Sequence, residues 1–290
     1  MKSIALLRLS IARSDHRHRP DRALSRRSAV SSARIPRNLI DLPERDLVWF
    51  ILCEVSTLYE YFNFVVEPAI GPPPRIDWDY IFLAEVDRQW LGLNRDGLPG
   101  DIDVLIVPTF QGQPRVDLCC AIEVKRLALR GPNWSKNVDR YGISQAHGLL
   151  LDGFPFVGIL HIVVAAPGPL ENRRSLELWQ IVDDQGHAER IGSEMRDMTG
   201  YDAAERQLFR LATRSCADEV GINSVAVARS EIDGDDRLWH STKPSGSRHA
   251  SLNPHVNLNL LSAIQDLISE HRERIALRPA DARKSNCRAK

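Results

Sequence analysis

Hydrophobic and polar positions divide the chain into two polar ends and a long middle region of regular periodicity. An apolar stripe at three- and four-residue steps over 46–62 predicts a helix. Residues 100–125 hold two short apolar runs separated by a turn, which predicts the two strands of a hairpin. The almost continuous apolar run at 157–166, bounded by prolines, is typical of a strand buried on both faces.

The second half of the middle region continues this mixture of periodicities. Its helices are predicted over 138–152, 201–216 and 257–277, and its strands over 176–182 and 225–232, the last of these at a sheet edge. Residues 241–256, rich in Ser, Pro and His, are predicted to be a loop. Strands alternating with helices predict one α/β domain over 40–275, in which helices flank both faces of a mixed central sheet.

Basic residues are concentrated at the two ends of the chain. Residues 1–37 carry nine Arg and one Lys against two Asp and lack sustained periodicity, so we expect a disordered basic arm. Residues 276–290 form a second basic tail. Because the whole chain has a formal net charge of zero, the middle region is acidic. Binding of a polyanion would therefore need the basic ends, a cation or a partner.

Several classes of protein are disfavoured by what the sequence lacks. No apolar run approaches the ~20 residues that span a bilayer, so no membrane association is expected. The five cysteines form no Cys-x-x-Cys pair, which favours a reducing cytoplasm over a disulfide framework or a zinc site. There is no phosphate-binding loop of an NTPase, so any motor activity would come from another chain.

The predicted hairpin carries the candidate chemistry. Side chains alternate along a strand, so Glu123 and Lys125 project from one face while Ile122 and Val124 point into apolar packing on the other. Asp103 begins the neighbouring strand. Antiparallel pairing would bring its carboxylate beside that of Glu123, close enough for both to bind one cation.

This arrangement resembles the PD-(D/E)XK nuclease superfamily. The signature of that family is an acidic residue on one strand followed, on the next, by Glu or Asp, any residue, and Lys. The matching residues are Asp103, in Gly-Asp-Ile-Asp, and Glu123-Val124-Lys125, and the resemblance covers roughly residues 45–165. It implies a restriction-endonuclease-like core within residues 40–275, with the C-terminal part as an elaboration of that core.

The resemblance also implies a metal site and roles for its residues. Asp103 and Glu123 would bind Mg²⁺, for which Mn²⁺ would substitute, and the carbonyl of Val124 would be a third ligand. Lys125 would position or deprotonate the attacking water and offset negative charge in the transition state. Nuclease chemistry of this kind needs no other cofactor.

Five further positions are candidates for the same site. Many members of the family carry a glutamate on a helix before the hairpin, and Glu54, Glu60 or Glu85 would fill that role, with Glu85 preferred because it lies nearest in sequence. Several branches place a glutamine on the helix after the Glu-x-Lys motif, which points to Gln145; a structural amide is the alternative. Asp101 shares a strand face with Asp103 and would be a strand-entry residue or a supporting acid.

The expected function is therefore hydrolysis of phosphodiester bonds, with DNA favoured over RNA as the substrate. The chain would serve as the nuclease subunit of a restriction, repair or antiphage system, with a protein partner or a homo-oligomer supplying specificity or motor activity. Two alternatives remain at this point: an RNase effector, and a catalytically silent subunit that binds nucleic acid or acts as a scaffold.

Overall fold

The structure is a computed structural model that describes residues 5–9, 39–53, 78–93, 101–134, 142–181, 187–214, 216–229, 238–242 and 247–276. Its strands are β1 (Ala5–Leu9), β2 (Trp78–Val86), β3 (Ile102–Phe110), β4 (Gln113–Pro114), β5 (Cys120–Leu129), β6 (Phe156–Ala165), β7 (Arg173–Ile181), β8 (Ala188–Asp197), β9 (Val220–Arg229) and β10 (Leu238–Thr242). Its α-helices are α1 (Glu44–Cys53), α2 (Ile143–Asp152), α3 (Thr199–Ala212) and α4 (Leu258–Ala276).

The central sheet is mixed, as the sequence predicts. Its strands lie in the order β1-β2-β3-β5-β6-β9-β10, and the short strand β4 pairs with β3. Pairing is antiparallel from β1 to β5, parallel from β5 through β6 to β9, and antiparallel again between β9 and β10. The strands β7 and β8 form a separate antiparallel ribbon.

The segment that connects β3 to β5 contains a tight two-residue turn and then a short 3-10 turn. Phe110 pairs with Gln113, and the two residues between them, Gln111 and Gly112, have φ values of 49° and 76°. Two consecutive left-handed residues are the usual connection of a two-residue hairpin, because their twist matches that of the strands. A further short 3-10 turn at Val116–Leu118 then delivers the chain to β5.

One face of the sheet is covered by α1. Leu47 and Val48 of this helix are buried in one apolar cluster with Ile106, Ile122 and Leu160, which come from β3, β5 and β6. Val48 belongs to the apolar stripe that predicts this helix, and Leu47 adjoins that stripe. The part of the predicted helix after Cys53 lies outside the described residues.

The opposite face is covered by α2, α3 and α4. Leu149, Leu208 and Ile264, one from each helix, are buried in the same cluster as Leu105 of β3 and Ala121 of β5. Helices therefore flank the sheet on both sides, which confirms the α/β class with a mixed central sheet.

Two predictions differ from the structure: one on the edge position of a strand, the other on disorder in the N-terminal arm. The strand at Val220–Arg229 is not an edge strand, because Leu238–Thr242 pairs with it on its outer side; that short strand is too brief and too polar to stand out in the sequence. Within the arm 1–37 that was expected to be disordered, Ala5–Leu9 forms a strand paired with β2. The rest of the arm and the tail after Ala276 lie outside the described residues.

Candidate active site

The pairing of β3 with β5 places Asp103 beside Glu123. The described pairs run from Ile106–Cys120 to Val104–Ile122, so one further step along the strands brings these two acids opposite each other. Asp103 Oδ2 accepts a hydrogen bond of 2.7 Å from the backbone N–H of Val124. The carboxyl group of Glu123 projects beside that of Asp103 on the same face of the sheet. Both acids therefore lie next to the last described pair of β3 and β5, Val104 with Ile122.

Lys125 completes a contiguous group of three ionisable side chains. Its Nζ forms an ion pair with Oε1 of Glu123, two residues earlier on the same face of β5. Ile122 and Val124 are buried in the cluster on the other face, as strand alternation requires. The structure thus brings Asp103, Glu123 and Lys125 together.

Burial dominates the electrostatics of this group. Glu123 is 2% exposed, and the side chain of Lys125 is 16% exposed. Burial, and then the nearby charge of Glu123, raise the pKa of Asp103 to about 8, against the opposing effect of the Val124 N–H. Burial also raises the pKa of Glu123, although Lys125 opposes it. Without a cation, Asp103 therefore holds its proton near neutral pH.

Lys125 itself stays protonated. Burial lowers its pKa, but the carboxylates of Glu123, Glu44 and Asp103 together outweigh that effect and raise it. The side chain is consequently a fixed positive charge at neutral pH. A general-base role is disfavoured for it, while an electrostatic role is favoured.

The donor set of the site fits a small hard cation. Mg²⁺ is commonly bound by one or two carboxylates and several waters, and the paired strands place two carboxyl groups side by side. A cation bound in place of the Asp103 proton would offset the burial and the Glu123 charge that raise the pKa of Asp103. Within the described residues no group of three or more His, Cys, Asp or Glu side chains is arranged to bind a metal. The Val124 carbonyl as a third ligand stays a prediction.

Glu44 is a nearby acid that the sequence analysis missed. It begins α1; its Oε1 lies 3.9 Å from Nζ of Lys125, and its Oε2 accepts a hydrogen bond of 2.6 Å from the N–H of Arg126. The side chain is 41% exposed and so remains open to solvent. In the sequence, a Glu just after Pro43 indicates only a helix start, because acids are common in the first turn.

Three of the other predicted residues lie within the part of the chain that the structure describes. Glu85 is on strand β2 rather than on a helix, has a left-handed φ of 54°, and pairs with Arg45 of α1 at 3.3 Å. Gln145 is half-buried in the first turn of α2, and Asp101 is half-buried just before β3. Glu54 and Glu60 lie outside the described residues.

A buried polar row continues from the site across the sheet. Lys125 is paired in parallel register with His161 on β6, and His161 with Ser224 on β9. His161 is 0% exposed and Ser224 is 1% exposed. On this face the row separates two apolar clusters, one containing Ile159 and the other Val163. His161 is thus a core residue that borders the charged group.

Gly142, just before α2, allows the backbone to approach the side chain of Glu123 closely. It has a φ of 77°, and a Cβ there would lie 2.8 Å from Cγ of Glu123. We expect Gly142→Ala to lower the free energy of unfolding by about 1–3 kcal/mol, through backbone strain and displacement of Glu123. Thermal melting of the metal-free protein measures this.

Two glycines serve as controls for that substitution. Gly92 has a φ of 68° with nothing within 4 Å of an added Cβ, so Gly92→Ala reports backbone strain alone. Gly192 also has open space, without a left-handed φ, and its substitution should be tolerated. If Gly142→Ala cost no more than Gly92→Ala, the close approach to Glu123 would have no energetic consequence.

Comparisons with known proteins add no relative to this picture. The chain matches no family model, no curated protein and no solved structure. Among the helices that the structure describes, none is both long enough and apolar enough to cross a membrane. The functional argument therefore depends on the geometry of the site.

Proposed function

We propose that this protein is a metal-dependent nuclease of the PD-(D/E)XK type, with a restriction-endonuclease-like core, that hydrolyses phosphodiester bonds. The observation that carries the proposal is the placement of Asp103 beside Glu123 on neighbouring strands, together with the ion pair of Glu123 and Lys125. Two acids and a lysine gathered in a largely buried place are costly to fold, so a functional reason is favoured over a structural one.

The roles of the residues follow from their positions. Asp103 and Glu123 would hold Mg²⁺ or Mn²⁺, which when bound acidifies water and polarises phosphate. Lys125, held protonated beside Glu123, offers positive charge to the phosphate as negative charge develops on it. The Val124 N–H fixes the orientation of Asp103 through its hydrogen bond. Gln145, in the first turn of α2, would orient substrate or water.

Glu44 takes the role for which Glu54, Glu60 and Glu85 were considered. It is on a helix before the hairpin and approaches Lys125 from the solvent side. We expect Glu44→Gln to raise the Mg²⁺ concentration needed for half-maximal cleavage by about 10- to 100-fold, as for other residues that support metal ligands. Titration of the initial cleavage rate with Mg²⁺ measures this.

A matched substitution tests whether that effect is local. Glu177→Gln removes an exposed carboxylate on β7, where it pairs with Arg190 at 3.2 Å. Its Mg²⁺ dependence should equal that of the unaltered protein. An unchanged Mg²⁺ dependence in Glu44→Gln would exclude Glu44 from the site.

The substrate we propose is DNA, cut internally, with the chain acting in the cytoplasm as the nuclease subunit of a restriction, repair or antiphage system. The acidic middle region and the neutral net charge support a partner or a homo-oligomer that brings the nucleic acid to the site.

Cleavage assays with purified protein test the proposal. Supercoiled plasmid and structured RNA are incubated with Mg²⁺ or Mn²⁺, with EDTA as the control. Nicking of plasmid that EDTA abolishes supports the DNA endonuclease, and degradation of RNA alone supports the RNase. Absence of cleavage of either substrate, with nucleic-acid binding retained, would favour the catalytically silent subunit.

A further inference from the structure

A second feature lies on the same face of the sheet as the acids. A cleft of about 300 Å³ is lined by Trp134, Asn172, Thr199, Asp202 and Arg206. Its volume is at the lower end of the range of small-ligand sites. The cleft lies where the parallel strands β5 and β6 end, and ligands of α/β sheets commonly bind at that edge.

Trp134 gives the cleft an aromatic wall that is held in place. Its indole packs against the apolar cluster of Leu127, Leu129 and Ala203, and the side chain remains half-exposed where it lines the cleft. Leu127 and Leu129 are separated from Glu123 by an even number of positions along β5, so their side chains project from the same face of the strand. The indole that packs against them therefore lies on the face that carries the acids. Glu123 lies about 20 Å from Leu129 along the strand, at ~3.3 Å per residue.

The polar wall is formed by α3 and by the segment before β7. Arg206 donates a hydrogen bond of 3.0 Å to the carbonyl of Trp134, and Asn172 donates one of 3.0 Å to Thr199. Asp202 accepts one of 2.8 Å from Arg174. Each group is thus oriented by one bond, and the guanidinium and amide groups have further donors or acceptors to offer.

Asp197 fixes the backbone at Gly168 and Thr199, next to the polar wall of the cleft. Its carboxylate accepts hydrogen bonds of 2.5 Å from the N–H of Gly168 and 2.9 Å from the N–H of Thr199. Burial acts to raise the pKa of Asp197, but the side chain of Thr199 and the N–H groups of Gly168 and Thr199 hold that pKa below its usual value. The cleft is therefore preformed, which lowers the entropic cost of binding.

This combination suits a neutral heteroaromatic ring. An indole offers a stacking surface to any base, and amide, guanidinium and carboxylate groups match the donors and acceptors of base edges. A phosphate group is disfavoured there because it would meet the carboxylate of Asp202. We propose that the cleft binds one unpaired nucleobase of the nucleic-acid strand that is hydrolysed at the site formed by Asp103 and Glu123. The substrate would then carry a single-stranded segment. This inference rests on the proposed function.

Binding of short labelled oligomers to the full chain tests the inference. The Asp103→Asn protein in EDTA is titrated into fluorescein-labelled oligothymidylate, oligouridylate and a blunt duplex, and anisotropy gives the Kd. We expect Trp134→Ala to weaken binding of a single strand by about 5- to 150-fold, the range for loss of one stacked base. Trp134→Phe, which retains an aromatic ring, should restore most of the affinity, and duplex binding should not depend on Trp134.

Further variants keep the test decisive if Trp134→Ala does not fold. Arg206→Gln removes the guanidinium from the exposed side of α3 and should also weaken single-strand binding. Arg115→Ala, which removes an arginine paired with Asp117 near β4, should not. Trp134 dependence with either oligomer supports the inference, and the tighter oligomer identifies the strand. Single-strand binding that is unaffected by both Trp134→Ala and Arg206→Gln would overturn it.

The two proposals fail in distinguishable ways. Cleavage that needs a metal, together with binding that is insensitive to Trp134, would leave the nuclease and remove the base-binding cleft. Trp134-dependent binding with no cleavage of any substrate would leave the cleft as a binding site and remove the nuclease.

Discussion

Lys125→Met is expected to lower the cleavage rate by about 10²- to 10³-fold, because in the proposed mechanism it removes the fixed positive charge that offsets negative charge on the phosphate in the transition state. Methionine keeps much of the apolar stem, so the packing of this largely buried side chain is retained. Single-turnover cleavage of plasmid at saturating Mg²⁺ measures the chemical step. Circular dichroism checks that the variant is folded.

The neighbouring residue provides the control for that change. Arg126 follows Lys125 on β5, projects from the other face, and donates a hydrogen bond of 2.5 Å to the carbonyl of Ile40. Arg126→Met removes the same charge from the same strand, so its cleavage rate should stay within a few-fold of the unaltered rate. Equal losses in the two variants would show that net charge, rather than the position of Lys125, governs the reaction.

The metal-free protein is expected to lose stability as the pH rises from about 4 to about 8, and Asp103→Asn should remove most of that loss. Burial and the charge of Glu123 raise the pKa of Asp103 from 3.8 to about 8, so the folded state binds this proton more tightly than the unfolded state. The stabilisation is complete below the unfolded pKa and is lost as the pH rises through the folded pKa. At ~1.4 kcal/mol per pKa unit, the upper limit is on the order of several kcal/mol.

Melting temperatures measured in EDTA at acidic and alkaline pH test this expectation. Asp103→Asn should melt at a higher temperature than the unaltered protein at alkaline pH and at nearly the same temperature near pH 4. Added Mg²⁺ should raise the melting temperature of the unaltered protein at alkaline pH, because a cation that binds only the folded state stabilises it. Asp103→Asn should respond much less to Mg²⁺.

Asp117 gives a control of opposite sign. The pKa of this exposed residue is lowered by its hydrogen bond with Arg115, so its stabilisation is present at high pH and is lost as the pH falls. Asp117→Asn should therefore not stabilise the protein at alkaline pH. A pH dependence that Asp103→Asn leaves unchanged, or an equal response of both proteins to Mg²⁺, would contradict the proposed cation site.

Much of the candidate site follows from short-range rules. Alternation along one strand is enough to place Glu123 and Lys125 on a common face, and an apolar strand on each side of a turn is enough to suggest that Asp103 is adjacent. Prediction was weaker for Glu85, which was considered as a helical glutamate but lies in β2. The apolar run Tyr80–Ala84 does not distinguish a buried strand from a buried helix by periodicity.

The position of Glu44 needed information that no local pattern contains. Its contacts with Lys125 and Arg126 join residues about 80 positions apart, and they depend on how α1 packs over β5. The same is true of the polar row from Lys125 to His161 and Ser224, because parallel register is set by the packing of strands that are distant in sequence.

The sequence by itself determined the α/β class, the strand that carries Glu123 and Lys125, and the proximity of Asp103 to them, because strand alternation and hairpin formation are local properties of the chain. Only the tertiary structure decided that these groups are buried together, that the pKa of Asp103 is raised, that Glu44 approaches Lys125, and that Trp134 and Arg206 line one cleft. Burial and long-range contacts arise when distant segments pack against each other, and periodicity within one segment does not specify which segments will meet.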